Sequence, residues 1–463
     1  MNKENSLDLR EMQQLDSFVA DIMRRNKVYG LSIHISKEGQ SIYARGYGLR
    51  SVNPPRPATP DTLYGIGSAT KIFTALAVLK LVEKLKIRLE DPVDEYIHGL
   101  KTGQKKNKVT IHQLLSHTSG YPDLGMALGT LGQPLGEQEM WSPLGNIHDL
   151  LTLINGAEKE RISSKGDVFM YWNEGYVLLS NVIEVAGGES YPDFVRKNIL
   201  EPLEMNRSTF DPSKLESDID SMVGYYTRED GNQVPQKFPY HPLGYADGGL
   251  ISSVSEMSHL LIMLMNEGNY NGRRIISKEL VNIALTPHIE VNFPTRSNKK
   301  LFYGYGIVID NNFLGHSKFG HGGNVAVSSA YFGFIPDQKI GVAIASNSDF
   351  GTYSIADYAL CLSLGKSPEE LEYVEFLKRT DMICGRYETY NGSTKMQISM
   401  KGPNLFMEIG SSGRANLIPI IAERRGFFAI LGPNRVKLEV KAIPHGIVDI
   451  RFDRLVFHRV GKI

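Results

Sequence analysis

The stretch "YGIGSATKIFTALAVLKLV", residues 64–82, decides the fold. From Ile72 to Leu79 its one polar residue is Thr74. A helix that is apolar all round for two turns is a buried helix. Yet it opens with Ser68 and, three residues on, Lys71. The start of a helix carries positive partial charge, so an ammonium in the first turn is electrostatically misplaced. Residues i and i+3 share a helix face, which brings the Lys71 amine within reach of the Ser68 hydroxyl. A capping box would put Glu or Gln at that third position. Burial and the helix end both favour the neutral amine. A neutral amine takes the proton of a neighbouring alcohol and makes it a nucleophile. The Ser68 backbone N–H then points toward a developing oxyanion. The competing reading makes Ser68 a plain N-cap. Ser-x-x-Lys also occurs at Ser297/Lys300 and Ser363/Lys366, in segments expected to be exposed.

Outward from this helix, residues 8–25 place Leu9, Met12, Leu15, Phe18, Val19 and Ile22 on one face of an amphipathic helix. "GLSIHIS" and "SIYARGYG" follow as an antiparallel strand pair. Residues 117–145 are rich in Gly, Pro and Ser and read as one long loop of the kind that lines a site. Helical patterns return at 146–155, 173–186, 191–201 and 255–267, and strands at "YGIVID", "SSAYFGFIP" and "KIGVAIASN". Strands at both ends with helices between them predict an α+β domain, an antiparallel sheet flanked by helices, over 1–366. "SPEELEYVEFLKR" reads as a linker helix over 367–380. From 381 to 463 the pattern has period two, with "GPN" turns at 402–404 and 432–434. About eight short strands predict a small antiparallel barrel, with Phe406, Phe427 and Phe457 in its core.

Lys plus Arg and Asp plus Glu both number 51, so no net field draws in nucleic acid or an anionic membrane. Two cysteines exclude a disulfide scaffold and a four-cysteine metal site. His112 and His117, or His316 and His321, lack a third partner for zinc, and no cofactor is expected. The charged N-terminus has no apolar signal core, and "LLIMLM" is too short to span a bilayer, so the expectation is a cytoplasmic protein.

Two further stretches join Ser68 and Lys71. "YWNEGYVLLSNVIE" holds the chain's one Tyr-x-Asn, Tyr171 and Asn173, and "FGHGGNVAVSSAYFGF" sets His321-Gly322-Gly323 at the start of a strand. Glycines there let another backbone approach closely. In this order the three motifs resemble the serine β-lactamase and penicillin-binding-protein superfamily, in its class C-like branch of esterases, D-aminopeptidases and related peptidases. "LLSHTSGYPD", "DGGLISSVSEM" and "YGYG" resemble further segments of that family.

The resemblance implies a β-lactamase-like sheet with a helical subdomain. It makes Ser68 the acylated nucleophile, Lys71 its base or proton shuttle, and Tyr171 the group on the opposite wall. Lys71 and Tyr171 form a coupled pair, so either serves as the base. Asn173 is implied to bind substrate or orient Lys71. His321, Gly322 and Gly323 form the third motif, and Asn324 supplies a second oxyanion N–H. Against these roles stand an ordinary core tyrosine at 171, an N-cap at Asn173 and a structural histidine at 321. A permanent Lys at the third motif would hold a substrate carboxylate. His321 is mostly neutral at pH 7, which favours peptides, amides or esters without one, unless Lys318 compensates. Lipocalin-like C-terminal barrels in this family imply assembly of copies through residues 381–463. The expected activity is acyl-enzyme hydrolysis of peptide or ester substrates, D-residues among them. The rivals are a β-lactamase or D,D-peptidase and a non-catalytic scaffold that keeps the pocket.

Overall fold

The computed structural model describes residues 7–103, 107–135, 144–228, 231–293, 299–401, 404–410, 416–423, 425–443 and 447–462. The chain divides into two compact units, Met1–Lys366 and Ser367–Ile463.

The first unit is built on a nine-stranded antiparallel sheet. In chain order its strands are β1 (Gly30–Lys37), β2 (Gln40–Ser51), β3 (Arg56–Pro57), β4 (Ile289–Val291), β5 (Leu301–Tyr303), β6 (Val308–Phe313), β7 (His316–Asn324), β8 (Ser329–Ile335) and β9 (Ile340–Ser346). The spatial order is β4-β5-β6-β7-β8-β9-β1-β2-β3. The N-terminal hairpin therefore joins strands from the far end of the unit, with Leu31 opposite Ser346 and Lys37 opposite Ile340. Its tight turn, Glu38-Gly39, has φ of 51° and 78°, the paired positive φ that a two-residue hairpin loop demands.

Every residue of β9 is buried, because helices cover both faces. Val254–Met265 packs on β1, β8 and β9. Tyr353–Ser363 packs on β8 and β9 and also meets α1 (Leu9–Arg25). Asp8 and Glu11 close the N-terminus of α1 with a capping box, and its buried stripe is Leu15, Val19, Ile22 and Met23. Helix α2 (Lys71–Glu83) lies in the core of the helical part. It packs on α3 (Asn173–Gly187), whose end is closed by Gly188 at φ 79°. The segment 117–145 is not one long loop: Met126–Leu135 is helical, and 136–143 lie outside the described residues. Its glycines hide apolar residues, of which Met126 and Ala127 join the core as the helix packs against α3.

The second unit is a closed eight-stranded antiparallel barrel. Its strands run from Gly385–Glu388 to Leu455–Gly461, and the first pairs with the last. Helix Glu372–Ile383 belongs to this unit and packs on strand Asn416–Glu423. The interior holds Met396, Ile398, Leu405, Met407, Phe427, Leu438, Ile450 and Phe457. Phe406 is not among them, since alternation puts Leu405 and Met407 inward and Phe406 on the other face. The 432–434 turn joins two paired strands as expected, whereas 402 and 403 lie outside the described residues.

Candidate active site

From Thr62 to Leu79 every residue is buried except Ser68. Ser68 sits in a single 3-10 turn, Gly67–Thr70, that runs straight into α2. The cap residues of the turn and of α2 are Ile66 and Thr70, so the N-cap reading does not describe Ser68. The fully buried Lys71 amine lies 3.1 Å from the Ser68 Oγ. It also donates to Asn173 Oδ1 at 2.8 Å and to the Asp247 carbonyl at 2.7 Å. Asn173 is the first residue of α3, behind Trp172 as cap residue, and its side chain is turned to Lys71. The Asn173 amide Nδ2 in turn donates to Asp123 Oδ2 at 2.8 Å. Asp123 and Asp247 lie outside the three motifs. The one available signal was their place inside the family-like segments "LLSHTSGYPD" and "DGGLISSVSEM".

Tyr171 is half-buried on the opposite wall. Its ring centroid is 4.9 Å from Lys71 Nζ and 4.2 Å from the ring of His117. His117 is held at φ 57°, and its Nδ1 accepts from the Trp172 N–H at 2.9 Å, which fixes the backbone between Tyr171 and Asn173. Burial, reinforced by Lys71 and His321, holds His117 well below the ordinary histidine range. As a neutral ring it packs against Tyr171.

His321 is 5% exposed, and its ring lies 6.2 Å from that of Tyr171. Its Nδ1 donates to the Gly322 carbonyl at 2.6 Å, while its Nε2 accepts from the Tyr303 hydroxyl at 3.0 Å. Burial, then Lys71, push it down to about 3, far below an unshifted histidine. Lys318 does not compensate: its ammonium is spent on Asp357, 2.6 Å away, over the Phe313 ring. His316 bonds Asp337. Of the other Ser-x-x-Lys pairs, Ser363 is buried rather than exposed, its hydroxyl bonded to the Ala359 carbonyl, and Ser297 lies outside the described residues.

Strand β7 comes down on the turn that carries Ser68. A Cβ on Gly323 would stand 1.8 Å from the Ile66 carbonyl oxygen and 2.7 Å from the Ser68 nitrogen, so only glycine fits. Gly322 is not so confined, its nearest neighbour being the Tyr331 ring at 3.7 Å. Asn324 follows, its Oδ1 accepting from the Ala326 N–H and its Nδ2 donating to Asp349. Two cavities share Ser68 and Asn324. One, of about 490 Å³, is lined by Asp123, Asn173, Asp247 and apolar side chains. The other, of about 590 Å³, is lined by Tyr171, His321, Gly322 and Gly323. A scissile bond over Ser68 would thus have room on both sides.

A family profile described as Beta-lactamase matches residues 15–363, and one described as the Pab87 octamerisation domain matches 368–458. Among solved structures, the octameric penicillin-binding protein homologue from Pyrococcus abyssi is 36% identical, with a TM-score of 0.88 over 97% of this chain and all of that one. A class C beta-lactamase shares the fold at 18% identity and TM-score 0.62, over 76% of this chain and 96% of its own. Protein flp of Staphylococcus aureus (strain MW2) is 26% identical over 338 residues, 72% of this chain. That match spans 63% of the relative, less than two thirds of its length. Penicillin-binding protein 4* of Bacillus subtilis (strain 168) is 25% identical over 415 residues, 85% of this chain and 86% of that protein. The chain belongs to the beta-lactamase family.

Proposed function

We propose that the chain is a serine hydrolase that works through an acyl-enzyme on peptide, amide or ester substrates. The observation that carries this reading is the set of partners around Lys71 Nζ. Two of them, Asn173 Oδ1 and the Asp247 carbonyl, only accept hydrogen bonds. In its neutral form the amine gives its two protons to these oxygens and turns its lone pair to Ser68 Oγ. Ser68 Oγ then attacks the substrate carbonyl carbon as its proton passes to Lys71 or to Tyr171, which act as one coupled pair. The Ser68 and Asn324 backbone N–H groups are the proposed oxyanion donors, near which Gly323 permits close approach. Collapse of the tetrahedral intermediate breaks the bond to the leaving group, which takes the proton. Water, deprotonated by the same pair, then releases the acid and restores Ser68.

A neutral His321 and a committed Lys318 support substrates that lack a carboxylate at the third motif, and weigh against a β-lactamase or D,D-carboxypeptidase. For the second unit we propose self-assembly of copies. The octameric homologue, alike over 97% of this chain, supports it. No described helix is long and apolar enough to cross a membrane.

The test is a fluorophosphonate probe together with p-nitrophenyl butyrate turnover. Wild type should label at Ser68 and show a burst of one p-nitrophenolate per chain. Ser68→Ala should lose both. An unlabelled, inert but folded wild type would favour the scaffold reading, and faster turnover of a chromogenic cephalosporin than of esters would favour the β-lactamase.

A further inference from the structure

The 590 Å³ cavity beside Ser68 is bordered by four aromatic residues, Phe293, Tyr331, Phe350 and Tyr353. Strand side chains ordinarily stand off their sheet. Tyr331 lies down on it instead. It is paired with Gly322 across β7 and β8, and the neighbouring pair on its side of the sheet is Gly320 with Gly333. A Cβ on Gly320 would stand 2.5 Å from the Tyr331 hydroxyl oxygen, and one on Gly333 would stand 2.8 Å from its ring. The ring thus rests where two bare backbones leave it room. Gly351 does the same for Tyr353, whose ring a Cβ there would meet at 2.9 Å. Tyr353 is 55% exposed and Phe293 39%, so apolar rings face open space close to Ser68. Clustered exposed apolar surface marks a binding site. Among the described lining residues there is neither Lys nor Arg, and the one carboxylate is Asp349, held by the Asn324 amide. A leaving atom departs on the side of the group that protonates it. Tyr171 lines this cavity and is absent from the described lining of the 490 Å³ one.

We propose that this cavity is the leaving-group subsite and takes an uncharged aromatic group. The substrate class is then esters of arylalkyl alcohols, and peptides whose residue after the scissile bond is aromatic and continues into further chain rather than a free carboxylate. Ser68 Oγ bonds to the carbonyl carbon, the bond from that carbon to the leaving oxygen or nitrogen breaks, and the leaving atom takes its proton from the Lys71–Tyr171 pair. The aromatic ring of the departing alcohol or amine packs on Tyr331 and Tyr353, where offset and edge contacts between rings are favourable. A carboxylate in the same place would share the cavity with Asp349 and meet no cation. This rests on Ser68 as nucleophile and adds the chemistry of the group it expels.

The experiment measures butyrate esters of alcohols that differ little in intrinsic reactivity: 2-phenylethyl, 2-cyclohexylethyl, n-propyl and 3-carboxypropyl. In kcat/KM the phenylethyl ester should exceed the propyl ester at least tenfold and the cyclohexylethyl ester at least threefold. The carboxypropyl ester should fall at least tenfold below the propyl ester. In Tyr331→Ala the phenylethyl-to-propyl ratio should drop at least fivefold. Tyr353→Ala, at an exposed position, carries the same test should Tyr331→Ala fail to fold. Asp349→Asn, which keeps a side-chain partner for Asn324, should narrow the gap between the propyl and carboxypropyl esters at least threefold. A phenylethyl-to-propyl ratio near one in a wild type that labels at Ser68 would overturn the aromatic subsite and leave the serine mechanism standing. A ratio that neither tyrosine variant moves, or a cyclohexylethyl ester turned over as fast as the phenylethyl one, would overturn it equally. A folded wild type that does not label would sink the serine reading and this one with it.

Discussion

Asn173 Oδ1 lies 2.8 Å from Lys71 Nζ, an interaction between the first residues of two packed helices. It ties the amine to the wall that also carries Tyr171. Asp123 holds the other end of the same amide, so the orientation of Asn173 is set from both sides.

Removing that hold should act on proton transfer. Asn173→Leu should lower kcat for p-nitrophenyl butyrate about 100-fold, the lower range for general acid–base catalysis, with KM changed less than fivefold. The rate of fluorophosphonate labelling should drop in parallel. A kcat within threefold of wild type would show that Asn173 does not position the base.

Gly323 tests the close approach of β7 to the turn that carries Ser68. Gly323→Ala should cost about 1–3 kcal/mol, as overpacking does, and cut turnover about 100-fold by moving Ser68. Gly322→Ala, with 3.7 Å to its nearest neighbour, should keep the wild-type Tm. Thermal melts of the two variants measure the difference.

Glu174 gives the stability a pH dependence of known sign. Its carboxyl is raised from 4.5 to about 7 by burial first and then by Asp123 and Asp247. The folded chain therefore keeps a proton that the unfolded chain has released. Its stabilising contribution is complete below about 4.5 and is lost as the pH rises through 7. At about 1.4 kcal/mol per unit, the loss is on the order of 3 kcal/mol. Glu174→Gln should raise Tm relative to wild type more at pH 8 than at pH 5. Equal differences at the two pH values would refute the assignment.

Lys318 and Asp357 form an ion pair whose side chains are 12% and 25% exposed. Asp357→Ala should destabilise the chain by about 3 kcal/mol in urea titrations, because it leaves a largely buried ammonium alone. Lys318→Met combined with Asp357→Leu should cost less than that single change.

Much of this was legible in the sequence where one local pattern sufficed. The apolar run after Lys71 announced a buried helix, and period-two alternation announced the barrel. Ser68, Lys71, Tyr171 and Asn173 stood in short motifs, and the fold brings them together. What was not legible depended on tertiary company. Asp123 and Asp247 come from distant segments and meet only through Asn173 and Lys71. Lys318 looked available for a substrate until Asp357, on a later helix, proved to be its partner. Met126–Leu135 reads as loop because four glycines and a proline flank or interrupt it, and packing against α3 overrides that weak propensity.

The N-terminal hairpin shares its sheet with β9, and the Gly30 N–H finds its acceptor on Asn347, 317 positions away. A ribosome adds residues at about 5–20 per second, so tens of seconds separate the birth of Ser68 from that of the strand that walls it in. During translation Ser68 has no Gly323 beside it. On the proposed mechanism, ester turnover should begin only when nearly all of the first unit has left the exit tunnel.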